Sequence, residues 1–295
     1  MKTRAYFFII TAGILWGTSG LFVNALAPYG FSSLQMTAMR GIVATISMPL
    51  YCFFTDKTLF KISPLHLLLC VLSGISMYGT SCFYYMSMRA SSVSTAVMLM
   101  YTAPIIVMIF SVLFFGEKLT GKKLLAVGCM LVGCAFVSGI IGGFKFDAWG
   151  ITAGFLAGLS YSSYNILTKI QMRMGIRPQS ASLYCFIFMG ILATTFSNPS
   201  ELFLITAKDP IGILPFFVGI GLFTTVVPYL LYTFAMRALP AGTTSALGIV
   251  EPMSATVFSI LFLSEKPGVF SVTGIVLIIA AVLILGLCTH DECEV

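Results

Sequence analysis

The chain consists of long apolar runs separated by short polar or turn-forming breaks. Each run is close to the ~20 residues that an α-helix needs to cross the hydrocarbon core of a bilayer. The runs are continuous rather than alternating, so they predict helices and exclude the strands of a transmembrane barrel. We therefore predict an all-α membrane protein with ten transmembrane helices, at roughly 5–27, 34–54, 65–86, 92–115, 123–140, 148–169, 180–197, 211–235, 242–263 and 269–288.

Part of the first half is repeated in the second half. Residues 85–118 align without a gap with residues 233–266, and twelve of the 34 aligned positions are identical. An apolar chain matches itself by accident, but not at polar and helix-breaking positions such as Arg89/Arg237, Pro104/Pro252 and Glu117-Lys118/Glu265-Lys266. The first predicted helix likewise resembles the sixth, where Ala12-Gly13-Ile14-Leu15-Trp16 matches Ala157-Gly158-Leu159-Ser160-Tyr161. Five helices per half is an odd number, which predicts two inverted five-helix repeats, 1–143 and 144–295.

Composition and charge agree with a membrane location. Hydrophobic residues make up 58% of the chain and charged residues 9%, against about 25% charged in a soluble domain. With the N-terminus inside, eleven basic residues fall on the cytoplasmic side and four on the other, with Arg40 within a helix, as the positive-inside tendency requires. We predict a multi-pass protein of the cell inner membrane with both termini cytoplasmic.

Several short motifs resemble those of the EamA-type transporters of the drug/metabolite transporter superfamily. They are Ile14-Leu15-Trp16-Gly17-Thr18-Ser19-Gly20 in the first helix, Arg40 in the second, Gly116-Glu117-Lys118-Leu119 after the fourth and Val250-Glu251-Pro252 in the ninth. The resemblance covers nearly the whole chain as two tandem units. It implies a ten-helix inner-membrane carrier, often an exporter of amino acids or related metabolites. It also implies a central cavity lined by helices 1, 3, 4, 6, 8 and 9. The second half lacks an equivalent of Arg40, and Ser264 replaces Gly116.

Pro104 and Pro252 occupy matching positions near the middle of helices 4 and 9. A proline removes a backbone hydrogen bond and disturbs the preceding turn. Matching breaks near the midplane of both halves indicate a transport site, although such kinks also shape helix packing. We expect both prolines to act as helix breaks or gating hinges.

Glu251 lies about nine residues into helix 9, which is ~14 Å deep at ~1.5 Å per residue. A carboxylate at that depth faces a cavity or a partner. Three roles remain open: proton coupling, contact with a substrate ammonium group, or a structural hydrogen bond to backbone left open by Pro252. Arg40, about six residues into helix 2, either snorkels outward, pairs with a carboxylate or binds a substrate carboxylate. Both are candidates for a coupling or structural charge.

Aromatic and small polar residues populate the helices that the resemblance places around the cavity. Tyrosines near helix ends, such as Tyr85 and Tyr232, are interpreted as interfacial residues. Asn165 within a span needs a hydrogen-bond partner from another helix or from substrate. The candidate substrate-binding residues are Trp16, Ser19, Tyr78, Tyr101, Tyr161, Asn165 and Tyr229.

The residue types that are missing restrict the function. Apart from Arg40, no Lys or Arg lies well inside a predicted span, which disfavours phosphorylated substrates. No nucleotide-binding loop, carboxylate pair or metal-ligand spacing occurs, so we predict no enzyme activity, metal, cofactor or nucleic-acid partner. We expect a monomeric or homodimeric carrier that moves a neutral, zwitterionic or cationic metabolite, including aromatic ones, by alternating access, as an exporter. Efflux of drugs or toxic compounds is the alternative, and an integral-membrane enzyme is the rival class.

Overall fold

The computed structural model describes residues 2–138, 147–264 and 268–291, which contain helices and no β-strand. Seven helical segments are long and apolar enough to cross a membrane. Three further helices, Gly121–Val137, Ala148–Arg173 and Val269–Asp291, bring the number of spans in these ranges to ten. Large apolar side chains such as Phe54, Leu113 and Ile211 are exposed on the outer surface, where lipid rather than water is the compatible solvent. The protein is an all-α membrane protein, as the sequence predicts.

Six of the spans are continuous helices and four are divided. The continuous ones are α2 (Ser33–Thr55), α3 (Pro64–Ala90), α5 (Gly121–Val137), α6 (Ala148–Arg173), α7 (Pro178–Phe196) and α10 (Val269–Asp291). The divided ones are α1a and α1b (Lys2–Gly17, Ser19–Leu26), α4a and α4b (Val93–Met100, Ala103–Phe115), α8a and α8b (Pro210–Gly221, Val227–Ala238), and α9a and α9b (Ala241–Leu247, Val250–Phe262). A π-helical turn, Leu222–Val226, joins the halves of α8.

One additional helix, Pro199–Lys208, lies where the sequence predicts only a break. Its first turn carries Pro199 and Glu201 and its last turn carries Lys208, which suits the helix dipole. Ten residues rise only ~15 Å, too little to cross a bilayer. Leu202 is buried while Phe203 and Leu204 are exposed, so this helix is placed to lie along the membrane surface.

Contacts between loops divide the connections into two faces. On one face, Arg177 after α6 pairs with Asp56 after α2 at 2.6 Å, and Glu117 after α4b accepts a hydrogen bond from the amide of Ala241 before α9a at 2.7 Å. On the other face, Tyr29 after α1b donates to Asp209 before α8a at 2.9 Å. The connections after α2, α4, α6 and α8, which we call the even-numbered connections, therefore share one face. The connections after α1 and α7 share the other face, as expected for spans that alternate in direction.

Helix pairing follows a two-fold pattern that exchanges the halves. The α1–α8 pairing corresponds to α6–α3, α1–α9 to α6–α4, and α2–α8 to α7–α3. Two pairings, α2 with α7 and α5 with α10, correspond to themselves. A half of five spans ends on the side opposite to the one where it began, so the two halves run in opposite directions. This is the inverted repeat that the sequence predicts.

The self-corresponding pairings are close backbone contacts at glycine. A Cβ added to Gly41 in α2 would meet the Cα of Gly190 in α7 at 2.8 Å, and one added to Gly133 in α5 would meet the carbonyl oxygen of Gly274 in α10 at 2.9 Å. Glycine lets two helix backbones approach closely. Gly133 thus serves packing within the chain.

Candidate substrate site

Four aromatic side chains meet at the centre of the molecule, where α1, α6 and α8 pack together. The ring of Trp16 lies edge-on to Tyr229, with centroids 4.9 Å apart, and tilted against Tyr232 at 5.5 Å. Tyr164 packs edge-on against Tyr229 at 5.6 Å. Trp16, Tyr164 and Tyr232 are buried, whereas Tyr229 is half-buried. We call these four residues the aromatic cluster.

Asn165 connects two tyrosines beside the aromatic cluster. Its Oδ1 accepts a hydrogen bond from the Tyr232 hydroxyl, and its Nδ2 donates to the carbonyl of Tyr161 at 2.9 Å. Asn165 is fully buried, so these bonds satisfy its amide within the protein. Tyr232 is therefore a central residue, and its interpretation as an interfacial tyrosine was wrong. α8b continues to Ala238, which places Tyr232 away from the helix end and turns it inward.

Glu251 and Tyr101 join the two broken helices α4 and α9. The Tyr101 hydroxyl donates to Oε2 of Glu251 at 2.9 Å. Tyr101 is buried, while Glu251 keeps partial accessibility in the interior. Tyr84 and Tyr161 lie near enough to interact electrostatically with this carboxylate. The side chain of Glu251 therefore bonds to a tyrosine rather than to the backbone that Pro252 leaves open.

Arg40 contacts the π-helical turn of α8. Its Nε donates to Oγ1 of Thr225 at 2.8 Å and its Nη2 to the carbonyl of Thr224 at 3.1 Å. A π-turn leaves backbone carbonyls off the regular α-helical pattern, and the guanidinium supplies a charged donor to one of them. Arg40 also lies close to the Tyr229 hydroxyl and to Glu251. It therefore connects α2 with the part of α8 that carries the aromatic cluster.

The two prolines lie just after the helix interruptions. Pro104 is near the start of α4b, after the turn at Tyr101. Pro252 is near the start of α9b, where the amide of Glu251 donates to the carbonyl of Gly248 at 3.0 Å. A proline fits the first turn of a helix because its missing N–H has no partner there. Both breaks lie where the repeat predicts them, and the glutamate–tyrosine bond spans the gap between them.

Two candidate residues lie apart from this arrangement. Ser19 is half-buried and opens α1b, directly after the interruption at Thr18. Tyr78 stacks on Phe196 at the end of α7, with centroids 6.0 Å apart. The structure thus brings together Trp16, Tyr101, Tyr161, Asn165, Tyr229, Glu251 and Arg40, and it adds Tyr84, Tyr164 and Tyr232 to them.

The rings of the aromatic cluster pack closely against one another. Two grooves in the described part of the chain lie on the lipid-facing surface, one of about 540 Å³ between α5 and α10 and one of about 500 Å³ on α8a. The indole nitrogen of Trp16 is buried and has no hydrogen-bond partner among the residues that the structure describes. An unpaired buried donor costs about 1–3 kcal/mol, so this N–H is available to an acceptor that enters the aromatic cluster.

Comparison with known proteins gives the family. The profile of the EamA-like transporter family matches residues 3–139 and again residues 148–287. The chain is similar to the uncharacterized transporter YwfM of Bacillus subtilis (strain 168), with 24% identity over 97% of this chain and 95% of the relative. It is also similar to an uncharacterized transporter of Archaeoglobus fulgidus, with 25% identity over 94% of each chain.

A solved structure titled "Crystal structure of protein" has the same fold. It superposes with a TM-score of 0.80 over 99% of both chains at 17% identity. The two family matches cover almost the entire chain and coincide with the two halves of the inverted repeat. The chain therefore belongs to the EamA-like transporter family and is a multi-pass membrane transporter.

Proposed function

We propose that the protein is a secondary transporter that exports a small neutral, zwitterionic or cationic metabolite, such as an amino acid or an aromatic amine, across the cytoplasmic membrane by alternating access. The proposal rests on the aromatic cluster of α1, α6 and α8 and on Glu251 beside it. Glu251 lies at the paired breaks of α4 and α9. Aromatic faces bind apolar and cationic groups, and Glu251 is a half-buried carboxylate that can bind an ammonium group.

The repeat supports the alternating part of the proposal. Two halves with one fold and opposite directions can exchange conformations, which opens a central site first to one side and then to the other. The closely packed aromatic cluster corresponds to a state in which that site is closed. The basic residues Lys57, Lys61 and Arg177 share the face of the even-numbered connections, and we assign that face and both termini to the cytoplasm.

Efflux of drugs or toxic compounds is the second candidate, because the same aromatic walls and carboxylate suit a hydrophobic cation. No step of chemical catalysis is proposed: among the described residues at the centre, Glu251 bonds to Tyr101, and Asn165 bonds to Tyr232 and to backbone.

A binding screen followed by a flux measurement tests the proposal. Purified protein is screened by thermal shift against amino acids, amines, aromatic metabolites and hydrophobic cations. Each hit is then tested for counterflow in liposomes, with protein-free liposomes as the control. Saturable counterflow of an amino acid or amine supports the metabolite carrier, and counterflow restricted to hydrophobic cations supports drug efflux. Transport of a phosphate ester at micromolar concentration would overturn both.

A further inference from the structure

The corner between α8 and α9 is held from two sides by charged groups. Lys169 in α6 donates from Nζ to the carbonyl of Leu239 at 2.6 Å and to that of Met236 at 3.0 Å. Glu117, after α4b, accepts from the amide of Ala241 at 2.7 Å and from that of Gly242 at 3.4 Å. The corner residues Leu239 and Ala241 are buried, so both backbone ends are tied to side chains from elsewhere in the chain.

The charges match the helix ends that they contact. Lys169 places a cation on the last carbonyls of α8b, and Glu117 places an anion on the first amides of α9a. Each sign is the favourable one for that end of a helix, and each bond is charge-assisted. The Lys169 side chain is 9% exposed and lies near Glu117. Separating the corner from these two groups would leave a buried cation without its acceptors, which is costly.

The corner between α8 and α9 lies about one helical turn from the aromatic cluster, on the side of the even-numbered connections. Tyr232, at 5.5 Å from Trp16, is one turn before Met236 in α8b. Ser245, fully buried, is one turn after Ala241 in α9a. Movement of the corner away from α6 would therefore uncover the aromatic cluster from this face.

The repeat provides an internal comparison at the opposite face. The corner between α3 and α4 matches this one, because Met88-Arg89-Ala90 repeats Met236-Arg237-Ala238. The match of Ala12 with Ala157 in the first and sixth helices pairs Asn24 with Lys169. Asn24 is exposed and neutral. Glu265, the counterpart of Glu117, lies outside the described residues. The cation Lys169 is thus present in one half of the repeat and replaced by Asn24 in the other.

We propose that Lys169 and Glu117 form a lock that keeps the face of the even-numbered connections closed in the resting protein. The lock rests on the proposed carrier function and adds its regulation. During transport the bonds of both side chains break as the α8–α9 corner moves outward, and they re-form when it returns. The matching corner, with Asn24 in place of the lysine, opens more readily.

Accessibility of one buried position tests the lock without a substrate. Ser245→Cys is introduced as a probe, and its labelling by a membrane-impermeant maleimide is followed in vesicles of each orientation, with the protein lacking this substitution as the blank. A Lys61→Cys marker on the same face identifies the side of addition. Lys169→Asn, which introduces the residue of the matching position, is compared with Lys61→Asn, an identical change at an exposed lysine of that face.

We expect Lys169→Asn to raise the labelling rate of the probe about tenfold or more from the Lys61 side, as loss of a charged hydrogen bond predicts. Lys61→Asn is expected to leave it unchanged. Glu117→Gln is expected to raise it as well, and Lys169→Arg, which keeps the charge, to restore protection. Equal labelling in Lys169→Asn, Glu117→Gln and the control would overturn the lock. Failure of counterflow for every solute, with these labelling differences intact, would instead overturn the proposed function.

Discussion

The hydroxyl of Tyr101 donates a 2.9 Å hydrogen bond to the carboxylate of Glu251. Tyr101 lies at the interruption of α4 and Glu251 at the start of α9b, so one bond connects the two interruptions across the boundary between the halves. The repeat keeps neither residue, since Tyr101 aligns with Ile249 and Glu251 with Ala103. The symmetry-related position therefore cannot form this hydrogen bond.

Removing this hydrogen bond should lower the free energy of unfolding. Tyr101→Phe deletes the donor and leaves the carboxylate unpaired, and a lost hydrogen bond to a charged group costs about 1.5–3 kcal/mol. We expect a lower midpoint of thermal unfolding in detergent for Tyr101→Phe and for Glu251→Gln. The double variant should lose less than the sum of the two, because both changes delete one interaction. Additive losses would show that the two side chains act independently.

Transport in Glu251→Gln should be slower but should keep the pH dependence of the unmodified protein, because a bridging role needs hydrogen bonding rather than proton release. The measurement is counterflow in liposomes as a function of external pH. Loss of the pH dependence in this variant, with Tyr101→Phe unaffected, would assign proton coupling to Glu251 instead.

Trp16 offers a direct readout of the aromatic cluster. The chain has two tryptophans, and Trp149 is exposed, so Trp149→Phe leaves a single reporter within the cluster. We expect blue-shifted emission that resists quenching by acrylamide and changes when a transported solute is added. Tyr229→Leu, which removes the ring at 4.9 Å, should abolish that change. Strong quenching of Trp16 in the absence of solute would contradict a closed cluster.

Close packing of α6 against the interruption of α4 gives a prediction with a matched control. A Cβ on Gly158 would meet the carbonyl oxygen of Leu99 at 2.8 Å and Oγ1 of Thr102 at 3.0 Å, whereas a Cβ on Gly128 has open space around it. Gly158→Ala should destabilise the protein by about 1–3 kcal/mol through overpacking. Gly128→Ala should be neutral or stabilising by up to about 1 kcal/mol, as helix propensity predicts. Thermal unfolding of both variants decides between these outcomes.

The surface ion pair of Asp56 and Arg177 should give an acid-dependent contribution. The guanidinium of Arg177, with bonds from the side chain and amide of Thr58, lowers the pKa of Asp56 to about 2. A lowered pKa stabilises the fold above the unfolded value of about 3.9, and this contribution disappears as pH falls towards 2.

The Asp56→Asn variant, which cannot titrate at this position, measures that contribution. We expect unmodified protein to unfold at a higher temperature than Asp56→Asn from pH 7 to pH 5. The difference should close as pH decreases through 4 to 2. A gap that stays constant down to pH 2 would mean that the pair does not titrate in this range.

The spans, their inverted order and the two proline breaks follow from the sequence because each has a local signal: run length, repeat and residue type. The lock formed by Lys169 and Glu117 has no local sequence signal, since both side chains bind backbone atoms, and the lysine resembles an ordinary interfacial cation. Tyr84 is adjacent to Tyr85, which the sequence indicates to be interfacial, and no local pattern distinguishes the two. The π-turn that receives Arg40 is likewise set by tertiary packing rather than by a residue pattern.

The contacts of Gly41 with Gly190 and of Gly133 with Gly274 belong to the two helix pairings that correspond to themselves in the repeat. Helix surfaces without interlocking side chains can slide past each other with little resistance. We therefore expect one half to pivot against the other at these contacts during transport.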